Sequence, residues 1–284
     1  MNKLFLFCLL GFSVSSAARN PTASEIIEQI KTHINCEWDD ETVDTFKSGN
    51  ADDEVTGAVC CMFADMNVLK DAVAKKCNLI ITHEPVYYNH LDETSGLDHD
   101  PIFQEKLNYI NENHLIIWRF HDHWHRHQPD GIYIGLLDKL GWSSSTVKNN
   151  YRLVIIEKQS LKKLSDRLQS IFQIPGIRVI GDPNLEVSKI GLMLGAPGAK
   201  KQIQMLQTDI DLMIGGEAQE WETYQYVNDA VIQGKNKAVI FLGHIKSEEA
   251  GMAYFAKWLA TFQKKVPIVY SENKVPYWEP SQKL

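Results

Sequence analysis

The chain has 284 residues, of which 44% are hydrophobic and 23% charged, and its formal net charge is −7. This acidic balance argues against a nucleic-acid-binding groove, which would need a basic surface. No apolar run follows the leader that is long enough to cross a bilayer, so we expect a globular protein of one large or two ordinary domains.

Residues 1–18 have the layout of a secretory signal peptide. Lys3 precedes an apolar run at residues 4–10, and the small residues Ser16 and Ala18 stand before the predicted cleavage point. The apolar run is well short of the ~20 residues that a transmembrane helix needs. We therefore expect an exported protein, periplasmic or secreted, with no membrane segment after cleavage.

The cysteines do not predict a disulfide framework or a zinc–thiolate site. Cys60 and Cys61 are neighbours in an apolar stretch, where alternation directs them to opposite faces. Export would permit disulfides, but this setting favours buried thiols. The sequence contains no CxxC spacing.

The first part of the chain predicts alternating helices and strands. Thr22 and Glu25 form a capping box that starts a first helix. The stretch 37–54 carries eight acidic residues and is predicted to be a solvated loop. Apolar strands follow at 55–63, 79–82 and 115–120, with helical patterns near 66–76 and 101–112 between them. Strand, helix, strand in this order indicates parallel pairing.

The second part repeats this rhythm. A strand at 153–156, a helix over 161–171 and a short strand at 177–180 come first. Strands at 190–194, 212–214 and 238–242 follow, with helices around 200–207, from about 218 and from about 246. We predict two α/β halves of comparable layout, 19–150 and 151–284, with a soft boundary between them and one function.

Three of the predicted strands end in histidine, namely His83, His121 and His244. Open α/β sheets bind ligands outside the carboxyl ends of their strands, so these side chains are placed to converge. A single strand-end histidine would be read as an ordinary core or surface residue. Three of them predict a common site.

Each of these histidines is followed by a second side chain that can bind metal: Glu84, His125 and Glu248. Mixed imidazole and carboxylate ligation suits Zn²⁺, Mn²⁺, Fe²⁺ or Co²⁺ better than Ca²⁺ or Mg²⁺. Six ligands exceed the number that one tetrahedral ion uses. We therefore predict two metal ions, about 3.5–4 Å apart, in the arrangement that activates water for hydrolysis.

The segment HDHWHRH at 121–127 leaves the choice of ligand open. If the segment is extended, its four histidines share one face, and if it turns, the selection changes. His125 is the predicted ligand, and His123 is its alternative. The density of histidines is also typical of metal uptake or transfer.

Two further features have both a functional and an ordinary interpretation. The glycine-rich turn at 195–198, between a strand and a helix, is either a phosphate-binding loop or a plain tight turn. Glu217, at another strand end, is a candidate catalytic base or a partner that holds a ligand histidine. Its ordinary interpretation is a carboxylate at a helix N-terminus.

These residues resemble the motifs of the NIF-three-like family, also described as GTP cyclohydrolase 1 type 2-like or dinuclear metal centre hexameric proteins. Its members carry a strand ending in an ITHHP-like sequence, which resembles ITHEP at 81–85. They then have a histidine followed four residues later by aspartate, and near the C-terminus a GH followed four residues later by glutamate. His121 with His125, and His244 with Glu248, are similar to these two motifs, and the GGE at 215–217 resembles a preceding TGE-like turn.

The resemblance implies an α/β fold of two similar, interlocking halves with helices packed on mixed sheets. It also implies two neighbouring metal ions and a homohexameric ring. Two ligand positions depart from the family pattern, because Glu84 stands where the second histidine is usual and His125 where the aspartate is usual. The two departures exchange a carboxylate and an imidazole, so we expect a shifted metal preference.

The functional prediction is a metal-dependent hydrolase of a small-molecule substrate, in which Glu217 or a spare histidine relays protons. GTP cyclohydrolase-like activity rests on the resemblance alone. The alternatives are a metal-binding or metal-delivery protein of the cell envelope and an oligomeric scaffold with structural metals.

Overall fold

The computed structural model describes residues 19–174 and 176–278. The predicted signal peptide at 1–18 lies outside the described residues. In chain order the helices are α1 (Ala23–His33), α2 (Met66–Ala74), α3 (Pro101–Glu112), α4 (Asp122–Arg126), α5 (Gly131–Leu140), α6 (Leu161–Phe172), α7 (Ala199–Leu206), α8 (Gln225–Ile232) and α9 (His244–Phe262). The strands are β1 (Phe46–Ser48), β2 (Ala58–Cys61), β3 (Leu79–Thr82), β4 (Ile116–Arg119), β5 (Thr146–Val147), β6 (Asn150–Ser160), β7 (Arg178–Ile180), β8 (Glu186–Met193), β9 (Leu212–Gly215), β10 (Ala238–Phe241) and β11 (Ile268–Tyr270).

The strands form two mixed sheets. In the first sheet, ordered β1-β4-β3-β2-β11, only β1 is antiparallel to its neighbour. In the second sheet, ordered β5-β6-β8-β9-β10-β7, the parallel trio β8, β9 and β10 is flanked by antiparallel strands. The predicted parallel pairing and the mixed α/β fold are confirmed. Because β11 returns to the first sheet, the two halves interlock, while the division at residue 150 stays a prediction.

The main hydrophobic core lies between the two sheets, and α5 and α9 pack tightly within it. A Cβ at Gly135 would overlap the backbone of Ala250, and one at Gly251 would overlap the backbone of Ile132. Close approach of the two helices therefore requires glycine at both positions. This contact fixes α9 against the first sheet and so determines where the start of α9 lies.

The prediction of buried thiols is confirmed for Cys60, Cys61 and Cys77, which are free and buried. Cys36 is also free but is only partly buried. Cys60 belongs to the core between the sheets, whereas Cys61 belongs to the cluster on the outer face of the first sheet. The two neighbours therefore face opposite sides, as strand alternation predicts. None of the described helices is both long and apolar enough to cross a bilayer.

Two local predictions were wrong. The acidic stretch 37–54 is not wholly a solvated loop, because it contains β1 and the buried Asp44. Asp44 is buried because its carboxylate accepts hydrogen bonds from the backbone N–H groups of His121, Asp122 and His123. The helix expected from about 218 starts instead with a π-helical turn, Glu220–Tyr224, before α8.

Candidate metal centre

The three predicted histidines lie at strand ends of both sheets and meet at one place. His83 follows β3 directly, and His121 follows the adjacent parallel strand β4 after one residue. His244 comes from the second sheet, where a two-residue turn separates β10 from α9. The site therefore lies at the junction of the two sheets and depends on the interlocking of the halves.

Three imidazoles form one side of the site. The Nε2 atoms of His83 and His125 lie 3.2 Å apart, and the ring centroids of His121 and His125 lie 4.8 Å apart. One ring nitrogen from each of His83, His121 and His125 lies within 4.8 Å of the others. The same holds for ligand atoms of His83, Glu84 and Glu248, so two groups that could hold a metal ion share His83.

Two carboxylates connect these imidazoles to His244. Oε2 of Glu248 lies 3.1 Å from Nε2 of His244 and 3.7 Å from Nε2 of His83, while its Oε1 lies 3.9 Å from Nε2 of His125. Oε1 of Glu84 lies 3.0 Å from Nε2 of His244 and 3.8 Å from Nε2 of His121. Each carboxylate thus spans both sides of the site.

The outer nitrogen of every histidine in the cluster has a fixed partner. Nδ1 of His83 donates to the Phe120 carbonyl at 3.0 Å, and the Nδ1 atoms of the other three histidines each meet a carboxylate. These pairs are His121 with Asp122 at 2.8 Å, His125 with Asp130 at 3.0 Å and His244 with Glu217 at 3.0 Å. Hydrogen bonds of this kind fix the ring and direct the Nε2 lone pair inward, as they do for metal-ligating histidines.

The structure brings His125, and not His123, to the cluster. Because 122–126 form a helical turn, His123 points to the opposite side. There it is fully buried, with Nδ1 2.7 Å from Asp44, Nε2 accepting from the Asp39 N–H at 2.9 Å, and its ring stacked on Trp38. His123 therefore anchors the 37–54 segment instead of joining the site.

Charge is distributed unevenly over the cluster. Burial and the neighbouring imidazoles of His121 and His125 lower the pKa of His83 well below its usual range. Burial also lowers the pKa of His244, but hydrogen bonds to Glu217, Glu248 and Glu84 outweigh it and raise that pKa to about 12. The carboxylates thus favour positive charge on the His244 side, whereas His83 is held neutral, the form in which imidazole binds metal.

Glu217 lies beside His244, one of the candidate metal ligands. Its carboxylate is bonded to the outer nitrogen of His244, and more than half of its side chain is exposed. This contact is the one that the second of the two predicted roles requires. Both roles, holding a ligand histidine and transferring a proton, stay predictions.

Sequence reasoning missed Arg119, which is fully buried beside Glu84. Its Nε donates to the His83 carbonyl at 3.2 Å, and its Nη1 donates to the His90 carbonyl at 2.5 Å. Its Nη2 lies 3.5 Å from Glu84 Oε2 and has no hydrogen-bond partner among the residues that the structure describes. An arginine inside the apolar run of β4 was the signal that could have identified it.

The glycine-rich turn at 195–198 packs against the site. A Cβ at Gly195, which has φ +60°, would overlap the Glu248 carboxylate, and one at Gly216 would overlap the Gly195 backbone. Gly195 therefore leaves room for Glu248 to enter the cluster. Ser247 Oγ accepts a hydrogen bond from the Gly195 N–H at 3.0 Å and ties the turn to α9.

Besides a third cavity of about 520 Å³ that lies against Glu217 and His244, two cavities open onto the cluster and include Glu84, His90 and His244 in their walls. One, of about 390 Å³, is further lined by His121, His125 and Glu248. The other, of about 550 Å³, extends along Phe63, Tyr88 and Lys106. A small molecule can therefore reach the cluster through either cavity.

Fold and site together define a mixed α/β protein with histidine and glutamate clusters that could bind metal. The chain belongs to the Duf34/NIF3 (NGG1p interacting factor 3) family, whose model matches residues 21–276. The family expected from the sequence motifs is thereby confirmed.

Among curated relatives, a GTP cyclohydrolase 1 type 2 homolog of Clostridium acetobutylicum is 27% identical over 245 residues, which cover 81% of this chain and 87% of the relative. A protein of the same name from Clostridium perfringens is 22% identical over 210 residues, which cover 70% of this chain and 76% of the relative.

Solved structures share the fold. A Bacillus cereus protein related to NIF3 superposes with a TM-score of 0.72 at 13% identity, over 92% of this chain and 99% of that one. Reduced HcgD from Methanocaldococcus jannaschii superposes with a TM-score of 0.62 at 17% identity, over 88% of this chain and 97% of that one. At these identities the likeness concerns the fold alone.

Proposed function

We propose that the chain is a dinuclear metal-dependent hydrolase. Its two divalent transition-metal ions, Zn²⁺, Mn²⁺, Fe²⁺ or Co²⁺, would be held by His83, Glu84, His121, His125, His244 and Glu248. Four imidazole nitrogens and two carboxylates match the ligand preference of these metals. The outer nitrogens of all four imidazoles are already held by hydrogen bonds to the protein.

The observation that carries the proposal is the position of the two carboxylates. Glu248 lies between His244 on one side and His83 and His125 on the other, and Glu84 lies between His244 and His121. Glu248 makes these contacts with both of its oxygens, whereas Glu84 makes them with Oε1 alone and has Oε2 beside Arg119. Because both carboxylates are near both groups of imidazoles, they would be available to an ion on either side, which supports two ions over one.

When bound, such ions supply Lewis acidity that lowers the pKa of a water molecule and polarises the group under attack. The chain's own residues would orient the metal ligands and exchange protons with the solvent. Glu217 holds His244 by its outer nitrogen, and its exposed carboxylate is open to solvent. His90 lines both cavities and is exposed, so it is the spare histidine placed to carry a proton between substrate and solvent.

Turnover tests this proposal. The full chain, loaded in turn with Mn²⁺, Zn²⁺ and Fe²⁺, would be assayed on nucleotides including GTP, on phosphoesters, on peptides and on cyclic amides. GTP is included because of the name of the clostridial relatives. We expect at least one class to be hydrolysed, with activity lost in His244→Ala and kept in His99→Ala, an exposed histidine outside the site. Inactivity with every metal and every class would exclude the hydrolase.

The same loaded protein separates the alternatives. A delivery protein would release its metal to a competing chelator within minutes and hydrolyse nothing, whereas the hydrolase would retain it. A scaffold with structural metals would dissociate when the metal is chelated, and it would catalyse no reaction before or after chelation. The burial of His123 weakens the delivery hypothesis, since part of the histidine-rich segment is committed to structural contacts.

Assembly and location belong to the proposal as well. We propose a homohexamer that is exported to the periplasm or the medium after cleavage behind Ala18. Light scattering of the purified protein measures the number of subunits. N-terminal sequencing of the protein recovered from cell fractions measures the cleavage point and the location.

A further inference from the structure

The wall of the larger cavity contains a buried lysine that forms no ion pair with any of the described residues. Lys106, on α3, is 5% exposed, and its Nζ donates one hydrogen bond, to the Val86 carbonyl at 2.7 Å. Among the described residues, no carboxylate oxygen lies within 4.0 Å of Nζ, and the carboxylates of Asp65, in the same cavity wall, and Asp92 act on it only from a greater distance. An ammonium carries three N–H donors. Two of the three N–H groups of Lys106 therefore have no acceptor among the described residues.

A buried charge of this kind is costly unless something of opposite charge meets it. Burial lowers the pKa of Lys106 to about 8, so the ammonium still predominates at neutral pH. Lys106 faces the cavity that reaches Glu84 and His244. The unused donors therefore lie in the same space as the candidate metal centre.

The rim of this cavity offers an aromatic surface beside the lysine. Tyr88 is 61% exposed, and its ring lies 5.3 Å from Lys106 Nζ. Tyr88 also has φ +68°, a left-handed backbone that costs a non-glycine residue energy and that is concentrated at binding sites. Phe63 and Ile245 add apolar surface to the same cavity.

We propose that Lys106 binds the anionic group of a small organic substrate, whose flat apolar part lies against Tyr88 and Phe63 and whose reacting group faces Glu84 and His244. The anionic group is a carboxylate or a phosphate, since both accept hydrogen bonds from an ammonium. This inference rests on the proposed function for the reaction, but the binding site itself is independent of metal.

The competing role is structural, in which Lys106 only ties α3 to the Val86 carbonyl. Calorimetric titration separates the two roles, with phenyl phosphate, benzoate and the neutral benzyl alcohol as probes. Each probe is titrated into the metal-loaded full chain and into the chelator-treated chain. The variants are Lys106→Met, Lys106→Arg, Tyr88→Ala and, as a charge-matched control on α2, the exposed Lys70→Met.

We expect at least one anion to bind the wild type and Lys70→Met equally, and to bind Lys106→Met at least ~10-fold more weakly, as for a lost charge-assisted hydrogen bond. Lys106→Arg should recover part of the affinity, and Tyr88→Ala should weaken binding even if Lys106→Met fails to fold. The tighter of phenyl phosphate and benzoate identifies the anionic group.

Equal affinity in Lys106→Met and wild type would overturn the proposal, as would anions that bind no better than benzyl alcohol or not at all. Failure of the proposed function has a different signature. In that case Lys106-dependent binding persists in the chelator-treated chain, while the loaded chain retains no metal or hydrolyses nothing.

Discussion

The Nε2 atoms of His83 and His125 face each other at 3.2 Å, although the two residues are 42 positions apart in the chain. His83 is fully buried at the end of β3, and His125 stands on α4. Their outer nitrogens are held by the Phe120 carbonyl and by Asp130. Two lone-pair positions aimed at one point are what a shared metal ion requires.

The first prediction contrasts the two neighbouring histidines of α4. His125→Ala should lower metal affinity ~10-fold or more, because it removes an inward Nε2. His123→Ala should leave metal content unchanged but destabilise the fold by about 2–4 kcal/mol, because it leaves the buried Asp44 without its imidazole partner. Metal content by mass spectrometry and urea unfolding measure the two effects, and a loss of metal in His123→Ala with none in His125→Ala would reverse the assignment.

The second prediction concerns the exchange of ligand types between Glu84 and His125. Glu84→His should reduce metal binding, because Arg119 would then face an imidazole instead of a carboxylate. His125→Asp should also reduce it, because the new carboxylate would lie close to Asp130. We expect the double variant to recover metal binding only in part and with an altered order of preference among Zn²⁺, Mn²⁺ and Co²⁺. Full metal retention in either single variant would contradict this.

The third prediction tests the role of Glu217. Glu217→Gln keeps a hydrogen-bond acceptor for His244 Nδ1 but removes the charge, so metal affinity should fall by less than in Glu217→Ala. For the alanine variant we expect a loss of ~10–100-fold, the size found for partners of ligand histidines. Competition with a fluorescent chelator measures both variants, with the exposed Glu220→Ala as control. Equal affinities in all four proteins would show that Glu217 does not hold His244.

Much of the site could be predicted because its signals are local. A histidine at the end of an apolar run, with a second ligand one or four residues later, is visible in the sequence, and parallel pairing brings such strand ends together. The choice between His123 and His125 was not visible, because it depends on whether residues 122–126 are extended or form a helical turn. That turn is fixed by Asp44, whose bond to the His123 N–H spans 79 residues.

The partners of the ligands were hidden for the same reason. Arg119 reads as one charged residue in an apolar strand, and Asp130 as one more acidic loop residue. Their contacts with Glu84 and His125 arise only when the chain is folded. The solvated-loop prediction for 37–54 erred because charge density is a poor guide when a carboxylate has backbone N–H donors to satisfy.

The fourth prediction follows from the lowered pKa of Lys106. Burial lowers this pKa from 10.5 to about 8. Between these two values the unfolded chain holds a proton that the folded chain has lost, so the free energy of unfolding rises with pH. Below pH 8 the penalty is fully present and amounts to roughly 3 kcal/mol for the whole shift.

Lys106→Met removes this titration, so its stability relative to the wild type should be greatest near pH 7 and should decline toward pH 10.5. Unfolding by urea at several pH values measures the difference, with Lys70→Met as the control in which it stays constant. Parallel curves for wild type and Lys106→Met would show that Lys106 has an ordinary pKa.

The existence of two metal ions between His244 and the three imidazoles is the central claim, and anomalous scattering from crystals of the full chain grown with Mn²⁺ or Zn²⁺ tests it most directly. We predict two anomalous peaks, one beside His83, His121 and His125 and one beside His244, with Glu84 and Glu248 between them. A single peak in a fully loaded crystal, or peaks only outside these six side chains, would contradict the dinuclear centre.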